Sequence, residues 1–420
     1  MNAERRVLWL DLAAVFLLAL ALRLGLAISL PANDSVFWDQ PYWTYARNLS
    51  EGKGFWMPNP YGQGLDIPKV YAFRPPLFPF LWGMTYKITG GAYWPVRSTF
   101  ALLGALTCVL AYLAAREMFR RRSVSLVGGL LCALYPPLVW HSVNLMTEPL
   151  FIFFSTLCLL ALFRTRSSLS WRWAVAAGLA AGLGILTRSV LVGFLPFMAL
   201  WLWWCAGRRR RTLGLAVLFC ATALLVMLPW VIRNAIVLKA FVPTTTDVGH
   251  GAYVANNEHS LSDPRGFWIP DDWSFVKTNP DERPGEVEVS RRLVREARAF
   301  LWAHPATAAR LMAKRFVALW RFYPHEEFVS RRNVLIYALS YVPLFPFMLL
   351  GLWLAHKRAG DALADVALVD VVIFLTTAVH VAVLAMIRYR EPLMPFLLPF
   401  AALALVETFR FIRERVGRSA

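Results

Sequence analysis

The sequence predicts an all-α polytopic membrane protein: a bundle of about ten transmembrane helices with two long, structured outer loops that carry interfacial helices. Three observations predict it. Of the 420 residues, 58% are apolar and 17% charged, against about 45–50% and about 25% in soluble domains, and mean hydropathy is +0.49. The apolar residues come in blocks, such as 8–30 and 212–230, long enough to cross a hydrocarbon core of ~30 Å. The cations, 44 Lys and Arg against 26 Asp and Glu for a net charge of +18, sit in short clusters between those blocks. Soluble enzymes, disordered chains and fibrous repeats are excluded. Clustering at span ends assigns the positive charge to topology, not to nucleic acid.

The first span is expected near 7–30, interrupted by Arg23. It follows Arg5 and Arg6 and has no Ala-x-Ala cleavage site, which reads as an uncleaved signal anchor. Residues 31–95 are rich in Pro, Gly, Asn and aromatics and form a structured loop. Within it, 39–49 places Tyr42, Tyr45/Ala46 and Leu49 on one helical face and stops at Gly52 and Gly54, the pattern of a helix lying on a membrane surface. Six spans follow near 97–118, 123–140, 145–163, 171–189, 190–206 and 212–230. Gly178, Gly182 and Gly184 at small-residue spacing mark a close helix contact. Residues 231–332 are the second polar stretch. Over 288–323, Leu311/Met312, Phe316, Leu319/Trp320 and Tyr323 form an apolar stripe beside Arg310, Lys314 and Arg321. That reads either as a basic amphipathic helix beside anionic lipid or as a surface gathering a lipid-linked phosphate. The last spans lie near 333–355, 363–386 and 392–409. The chain divides into a membrane module over 1–230, an outer loop over 231–332 and a second membrane module over 333–420. The five cysteines, Cys108, Cys132, Cys158, Cys205 and Cys220, lie within apolar runs as small core residues.

The positive-inside rule sets the orientation. A cytoplasmic N-terminus puts Arg5-Arg6, Arg120 to Arg122, Arg164/Arg166, Arg208 to Arg211, Lys357-Arg358 and Arg410/Arg413/Arg415/Arg418 inside. The short outer loops then hold only Arg188 and the pair Arg388/Arg390. Both termini are cytoplasmic and both long loops periplasmic, in the inner membrane of a bacterium.

No Walker loop and no strand–GxGxxG–helix unit is present, so chemistry is expected at the outer face. Asp39, just before the surface helix, reads either as a helix N-cap or first-turn acid or as a general base at the membrane surface; Asp34 is its rival. Glu148, in Met146-Thr147-Glu148-Pro149, reads either as a first-turn acid favoured by the helix dipole or as a functional intramembrane carboxylate. Lys69, Arg74, Arg388 and Arg390 are outer cations. Two arginines in one very short outer loop violate the positive-inside pattern, and guanidinium forks match phosphate oxygens; pairing with Glu391 or with lipid headgroups is the plainer alternative. His325 with Glu326 offers a weak divalent-metal site without recognised spacing.

Several short motifs, in order, carry a resemblance: Asp39 with Tyr42-x-x-Tyr45-Ala46 and Leu49-x-x-Gly52-x-Gly54-Phe55; Arg74-Pro75-Pro76-Leu77-Phe78-Pro79; Thr147-Glu148-Pro149-Leu150; Leu186-Thr187-Arg188; Pro229-Trp230-x-x-Arg233-Asn234; Asn256-Asn257; and Arg388-Tyr389-Arg390-x-Pro392. The sequence resembles membrane glycosyltransferases of the GT-C class, in the dolichyl-phosphate-mannose protein mannosyltransferase superfamily that includes the bacterial aminoarabinose transferases of lipid A modification. The resemblance implies a GT-C-like bundle and an inverting transfer of sugar from a polyprenyl-phosphate donor to a glycan, lipid or protein acceptor. Asp39 and Glu148 take the catalytic positions, and Lys69, Arg74, Arg388 and Arg390 hold the donor phosphate. Tyr42, Tyr45, Asn256 and Asn257 form the substrate loops. No cofactor is fixed; some relatives bind a divalent metal. Gln40 follows Asp39 where many members carry a second acid, which leaves the acceptor open. Two other classes remain: a polysaccharide ligase or polymerase using a polyprenyl-diphosphate donor, and a lipid or solute transporter.

Overall fold

The computed structural model of the chain describes residues 3–30, 40–90, 92–263, 266–279, 281–324, 330–357 and 362–419. Helix α1 (Ala3–Ser29) leads into an outer segment holding α2 (Gln40–Ser50) and α3 (Leu77–Ile88). Six apolar segments follow: α4 (Trp94–Phe119), α5 (Arg122–Leu134) with α6 (Pro136–His141), α7 (Glu148–Ser168), α8 (Trp171–Ile185), α9 (Leu195–Cys205) and α10 (Arg210–Leu238). The second outer segment holds α11 (Asp247–Ala255), α12 (Glu286–Ala303) and α13 (Pro305–Trp320). Helices α14 (Arg331–Tyr341) and α15 (Phe345–His356) together make the next apolar segment, before α16 (Ala362–Ala382) and α17 (Met394–Ser419). The described residues contain no strand beyond the isolated bridges Met57–Val70 and Gln63–Asp272.

All ten expected apolar segments are helical, and the chain is a multi-pass membrane protein. Seven are long and apolar enough to cross a bilayer by themselves. The three around α5, α8 and α9 are shorter, and for α5 the reason is local. Pro136 and Pro137 cannot continue its hydrogen-bond ladder, so it stops at Leu134 and restarts as α6 with proline in the first turn. The same chemistry corrects one expectation: the stripe over 288–323 is two helices. Pro305 forces the preceding His304 out of the helical region, to φ −129° and ψ 59°. Helix α3 (LFPFLWGMTYKI) was unforeseen within the first loop; its aromatics pack against Trp43 and Tyr42 of α2.

Small residues set the helix spacing. An added Cβ on Gly178 would lie 2.6 Å from the Phe219 carbonyl oxygen, and one on Gly182 2.6 Å from Val226 Cβ, so α8 lies directly on α10. Gly351 seats α15 against the Phe400 carbonyl of α17, where a Cβ would overlap the oxygen. Cys108, Cys132 and Cys158 are buried and Cys205 and Cys220 half-buried, none in a disulfide. The intramembrane Arg23 is fully buried. Its guanidinium donates to Ser142 Oγ (3.1 Å), to Ala19 O (3.1 Å), and to Ala133 O (3.2 Å) and Cys132 O (3.3 Å) at the end of α5. Carbonyls in a helix's last turn lack intrahelical donors, so Arg23 caps α5 while tying α1 to it.

The charge clusters at span ends meet at one end of the bundle. Arg122 pairs with Asp11 (2.8 Å), Arg121 with Glu407, Arg164 with Glu117 (3.1 Å), and Arg166 bidentately with Asp365 (2.8 and 3.0 Å). Both long segments lie together at the other end. There Glu286, first residue of α12, accepts from the Tyr71 amide (2.9 Å), and burial holds its carboxyl above the usual carboxylate range. Arg233 donates to Tyr71 O (2.7 Å) and Phe55 O (2.9 Å). Tyr45 OH donates to Val70 O (3.3 Å) and accepts from the Phe73 amide (3.2 Å). His250 sits in an aromatic box of Tyr61, Phe73 and Trp273, with ring centroids 5.2–5.8 Å away.

Two predictions follow from this packing. Gly351→Ala forces α15 off α17 and destabilises the bundle by about 1–3 kcal/mol, the scale of an overpacked core; an unchanged Tm in detergent would contradict the contact. Burial in the box, with Arg74 nearby, pulls the His250 pKa down to about 4, whereas an unfolded histidine titrates near about 6.5. Between those values the unfolded chain binds a proton that the folded chain refuses. Stability is therefore full above about pH 6.5 and falls as pH drops towards 4. Comparing Tm at pH 7 and pH 5 for wild type and His250→Gln checks this: the variant loses less on acidification, and equal losses would remove His250 as the cause.

Candidate functional site

A cavity of about 770 Å³ opens near the outer end of the bundle. Its apolar wall comes from α1 (Leu22, Leu26), from the α5–α6 region (Leu134, Val139) and from α14 (Ile336). Leu22, Leu134 and Ile336 are themselves exposed on the surface of the bundle, so the apolar wall continues to the face that meets lipid. The polar end carries His141, Asn144, Arg321, Arg332, Asn333 and Arg388. Among the described lining residues there are three guanidinium groups and no carboxylate.

Immediately behind Arg388 lies Glu148. As first residue of α7 it stands where the helix N-terminus favours an anion, and it is only 2% exposed. Its Oε1 accepts from Arg188 Nη1 at 3.1 Å, and Arg388 Nε lies 3.9 Å away. Thr147 Oγ1 donates to Oε2 at 3.3 Å. The Tyr389 ring meets both cations, 4.7 Å from the Arg188 guanidinium and 5.2 Å from that of Arg388, and stacks on His380 at 4.5 Å. His141, which lines the cavity, meets Tyr337 OH through Nε2 at 3.1 Å. Arg388 also lines the cavity, so it links the Glu148 cluster to that space.

A second cluster adjoins the first through the sequence step from Arg188 to Ser189. Ser189 Oγ lies 3.3 Å from Thr245 Oγ1, which donates to Asp247 Oδ1 (2.6 Å); Asp247 Oδ2 accepts from Arg74 (2.6 Å). The Arg74 guanidinium also lies 5.6 Å from the Tyr42 ring and 4.9 Å from Phe73.

Of the residues singled out from sequence, the structure brings Glu148 to Arg388 and Arg74 to Tyr42. Arg390 does not reach the cavity. It is fully buried, donates to Leu319 O (3.3 Å) and Arg321 O (2.5 Å), and lies 3.8 Å from the centre of the Tyr341 ring. Lys69 stands apart, exposed, its Nζ 4.4 Å above Trp56. Tyr45 is spent on loop backbone. Asn256 donates to Ala252 O (3.0 Å) and Ala382 O (3.2 Å), and Asn257 to Tyr253 O (2.9 Å), so both brace the outer segment. Asp34, Asp39, His325 and Glu326 lie outside the described residues, within which no three His, Cys, Asp or Glu side chains gather to hold a metal. Sequence reasoning missed Arg188 as a site residue, although it broke the positive-inside pattern just as Arg388 did. It also missed Asp247, whose partner lies 173 positions away.

Residues 73–232 match the family model described as dolichyl-phosphate-mannose-protein mannosyltransferase. The chain is 30% identical over 220 residues to the undecaprenyl phosphate-alpha-4-amino-4-deoxy-L-arabinose arabinosyl transferase of Pseudomonas aeruginosa strain LESB58, covering 50% of this chain and 39% of the relative. A Pseudomonas fluorescens Pf-5 enzyme of the same description is 33% identical over 144 residues, 32% of this chain and 26% of its own. The chain thus spans about two fifths of the length of the first of these relatives. Its fold is that of an archaeal oligosaccharyltransferase from Archaeoglobus fulgidus, solved with an inhibitory peptide and a dolichol-phosphate: TM-score 0.59 and 15% identity, over 100% of this chain and 52% of that one. In fold and in sequence, the chain is similar to membrane glycosyltransferases of the GT-C class.

Proposed function

We propose that the chain is an inner-membrane glycosyltransferase that moves a sugar from a polyprenyl-phosphate donor to an acceptor hydroxyl at the periplasmic face, inverting the anomeric carbon. The observation that carries this reading is the cavity: an apolar wall continuous with the lipid-facing surface, ending in guanidinium groups beside a buried carboxylate. That combination fits a hydrocarbon chain bearing a phosphate. The donor in the relatives' name, an undecaprenyl phosphate sugar, supports the same assignment.

In this reading Arg388 binds the donor phosphate, with Arg321 and Arg332 at the same polar end. Glu148 holds Arg388 and Arg188 in place. Arg74, fixed by Asp247 and Tyr42, faces the acceptor side, and Arg390 braces the loop from behind. The phosphate is already a good leaving group, so the protein must orient the acceptor, remove its proton and stabilise the departing charge. Asp39 is assigned the proton. A sugar-transfer module over 1–230, with the outer segment 231–332 covering it, suits these roles. Both termini are placed in the cytoplasm.

Donor binding tests the core of this. Arg388→Gln weakens binding of undecaprenyl phosphate, and Arg388→Lys restores part of it, because an ammonium keeps the charge but loses the fork. Equal affinity across the three proteins would take Arg388 out of the site. Tighter binding of a polyprenyl diphosphate would favour the ligase class. Asp39→Asn lowers transfer by about 10²–10⁴-fold, the range for a lost general base, with donor affinity kept; near-normal transfer would move the base to Asp34. Single cysteines at positions 60 and 275, in a background without the native five, react with an impermeant reagent from outside, while one at 357 does not. The reverse pattern would invert the topology.

A further inference from the structure

Behind the Glu148 cluster lies a second polar group that the reaction described above does not use. Glu391 is fully buried, and neither carboxyl oxygen has a hydrogen-bond partner. Around it are other buried polar atoms in the same position: Tyr135 OH, Tyr341 OH, and Nε and Nη2 of Arg390. His141 Nδ1 is likewise unpaired, while its Nε2 meets Tyr337 OH. Buried polar groups are almost always paired, and each orphan carries a desolvation cost, so such atoms gathered in one place mark a polar cluster with hydrogen-bonding capacity to spare.

The charged and titratable groups facing Glu391 come from every neighbouring element. They are Arg390 on its own turn, Glu148 on α7, Tyr135 between α5 and α6, and Tyr337 and Tyr341 on α14; the adjoining start of α17 (MPFLLPF) has none. Arg390 gives two of its hydrogen bonds to the backbone of 319 and 321, and its guanidinium lies over the Tyr341 ring rather than in an ion pair with Glu391. A bare carboxylate in an apolar bundle, near a second carboxylate and without an ion-pair partner, is unfavourable; the neutral acid is the form such a site stabilises. An ionisable residue inside a spanning bundle is a functional candidate in its own right.

We propose that Glu391 is a proton reservoir: it holds a proton inside the bundle and exchanges it with the cavity by way of Tyr337 and His141. Tyr337 lies in the fields of both Glu391 and Glu148, and Tyr337 and His141 both line the cavity. Within the sugar-transfer reading, on which this role rests, the bonds balance as follows. The acceptor O–H breaks, with its proton going to the base; a new bond forms from acceptor oxygen to the anomeric carbon; the bond from that carbon to the phosphate oxygen breaks. The phosphate leaves with one more negative charge, and Glu391 supplies the proton that neutralises it. The base's proton restores Glu391 through solvent.

The proton itself is tested without turnover. In the wild-type-minus-Glu391→Gln infrared difference spectrum of the purified protein at neutral pH, a protonated-carboxyl band is present and shifts in D2O. Its absence from that difference spectrum overturns the assignment whether or not the protein transfers sugar. The exchange route is tested by Tyr337→Phe, which keeps the band but slows its shift in D2O; an unaltered rate removes Tyr337 from the route. In transfer assays Glu391→Gln lowers kcat by about 100-fold, within the range for a lost proton donor, leaves donor KM unchanged and removes the alkaline limb of the pH–rate profile. A brace that only supports the fold would lower Tm and leave that limb intact, which would also overturn the proposal. Failure to bind or turn over a polyprenyl-phosphate sugar, with the infrared result intact, would instead overturn the sugar-transfer reading alone.

Discussion

The outer end of this bundle depends on one buried ion cluster, the Glu148 carboxylate between Arg188 and Arg388. Three separate chain segments meet there: the start of α7, the turn after α8 and the loop before α17. Burying one charge is costly, and removing one member of a buried pair typically costs about 3–5 kcal/mol because the other is left uncompensated. The cluster reaches the cavity through Arg388, at the polar end opposite the leucine, valine and isoleucine wall. Tyr389 contributes a ring that both guanidiniums contact.

From that cluster the remaining architecture follows as support. The described residues of the first outer loop form no sheet. The loop is fastened by Tyr45 of its own α2 and by side chains from distant elements, Arg233 from α10 and Glu286 from α12. These contacts place Arg74 beside Asp247, next to the Arg188 turn. At the opposite end, Arg122, Arg121, Arg164 and Arg166 pair with acids on other spans. The charge clusters at the span ends thus hold the helix ends together.

Much of this was legible in the sequence because membrane constraints are local. Hydropathy located the ten apolar segments, and Gly178 and Gly182 announced a close helix contact, whose partner α10 only the structure reveals. The period of Tyr42, Tyr45 and Leu49 announced α2. What was not legible depends on partners far along the chain. Lone Arg74 gives no hint of Asp247, and the neighbours Arg388 and Arg390 look equivalent until the backbone turn sends one to the cavity and the other to the Leu319 carbonyl. Pro305 was visible, yet the stripe running past it read as one helix, since side-chain periodicity persists across a break that only φ and ψ reveal. The buried polar cluster at Glu391 has no sequence signature beyond a glutamate beside proline.

The central claim is that the cavity holds a polyprenyl chain along its apolar wall with the phosphate at Arg388. Photo-crosslinking measures this directly, using an undecaprenyl phosphate analogue with the reactive group midway along its chain, followed by mapping of the adducts. The account predicts adducts on Leu22, Leu26 or Ile336, lost on competition with unlabelled lipid phosphate and diminished in Arg388→Gln. Adducts confined to other lipid-facing surfaces, unaffected by competitor or by the Arg388 substitution, would contradict it.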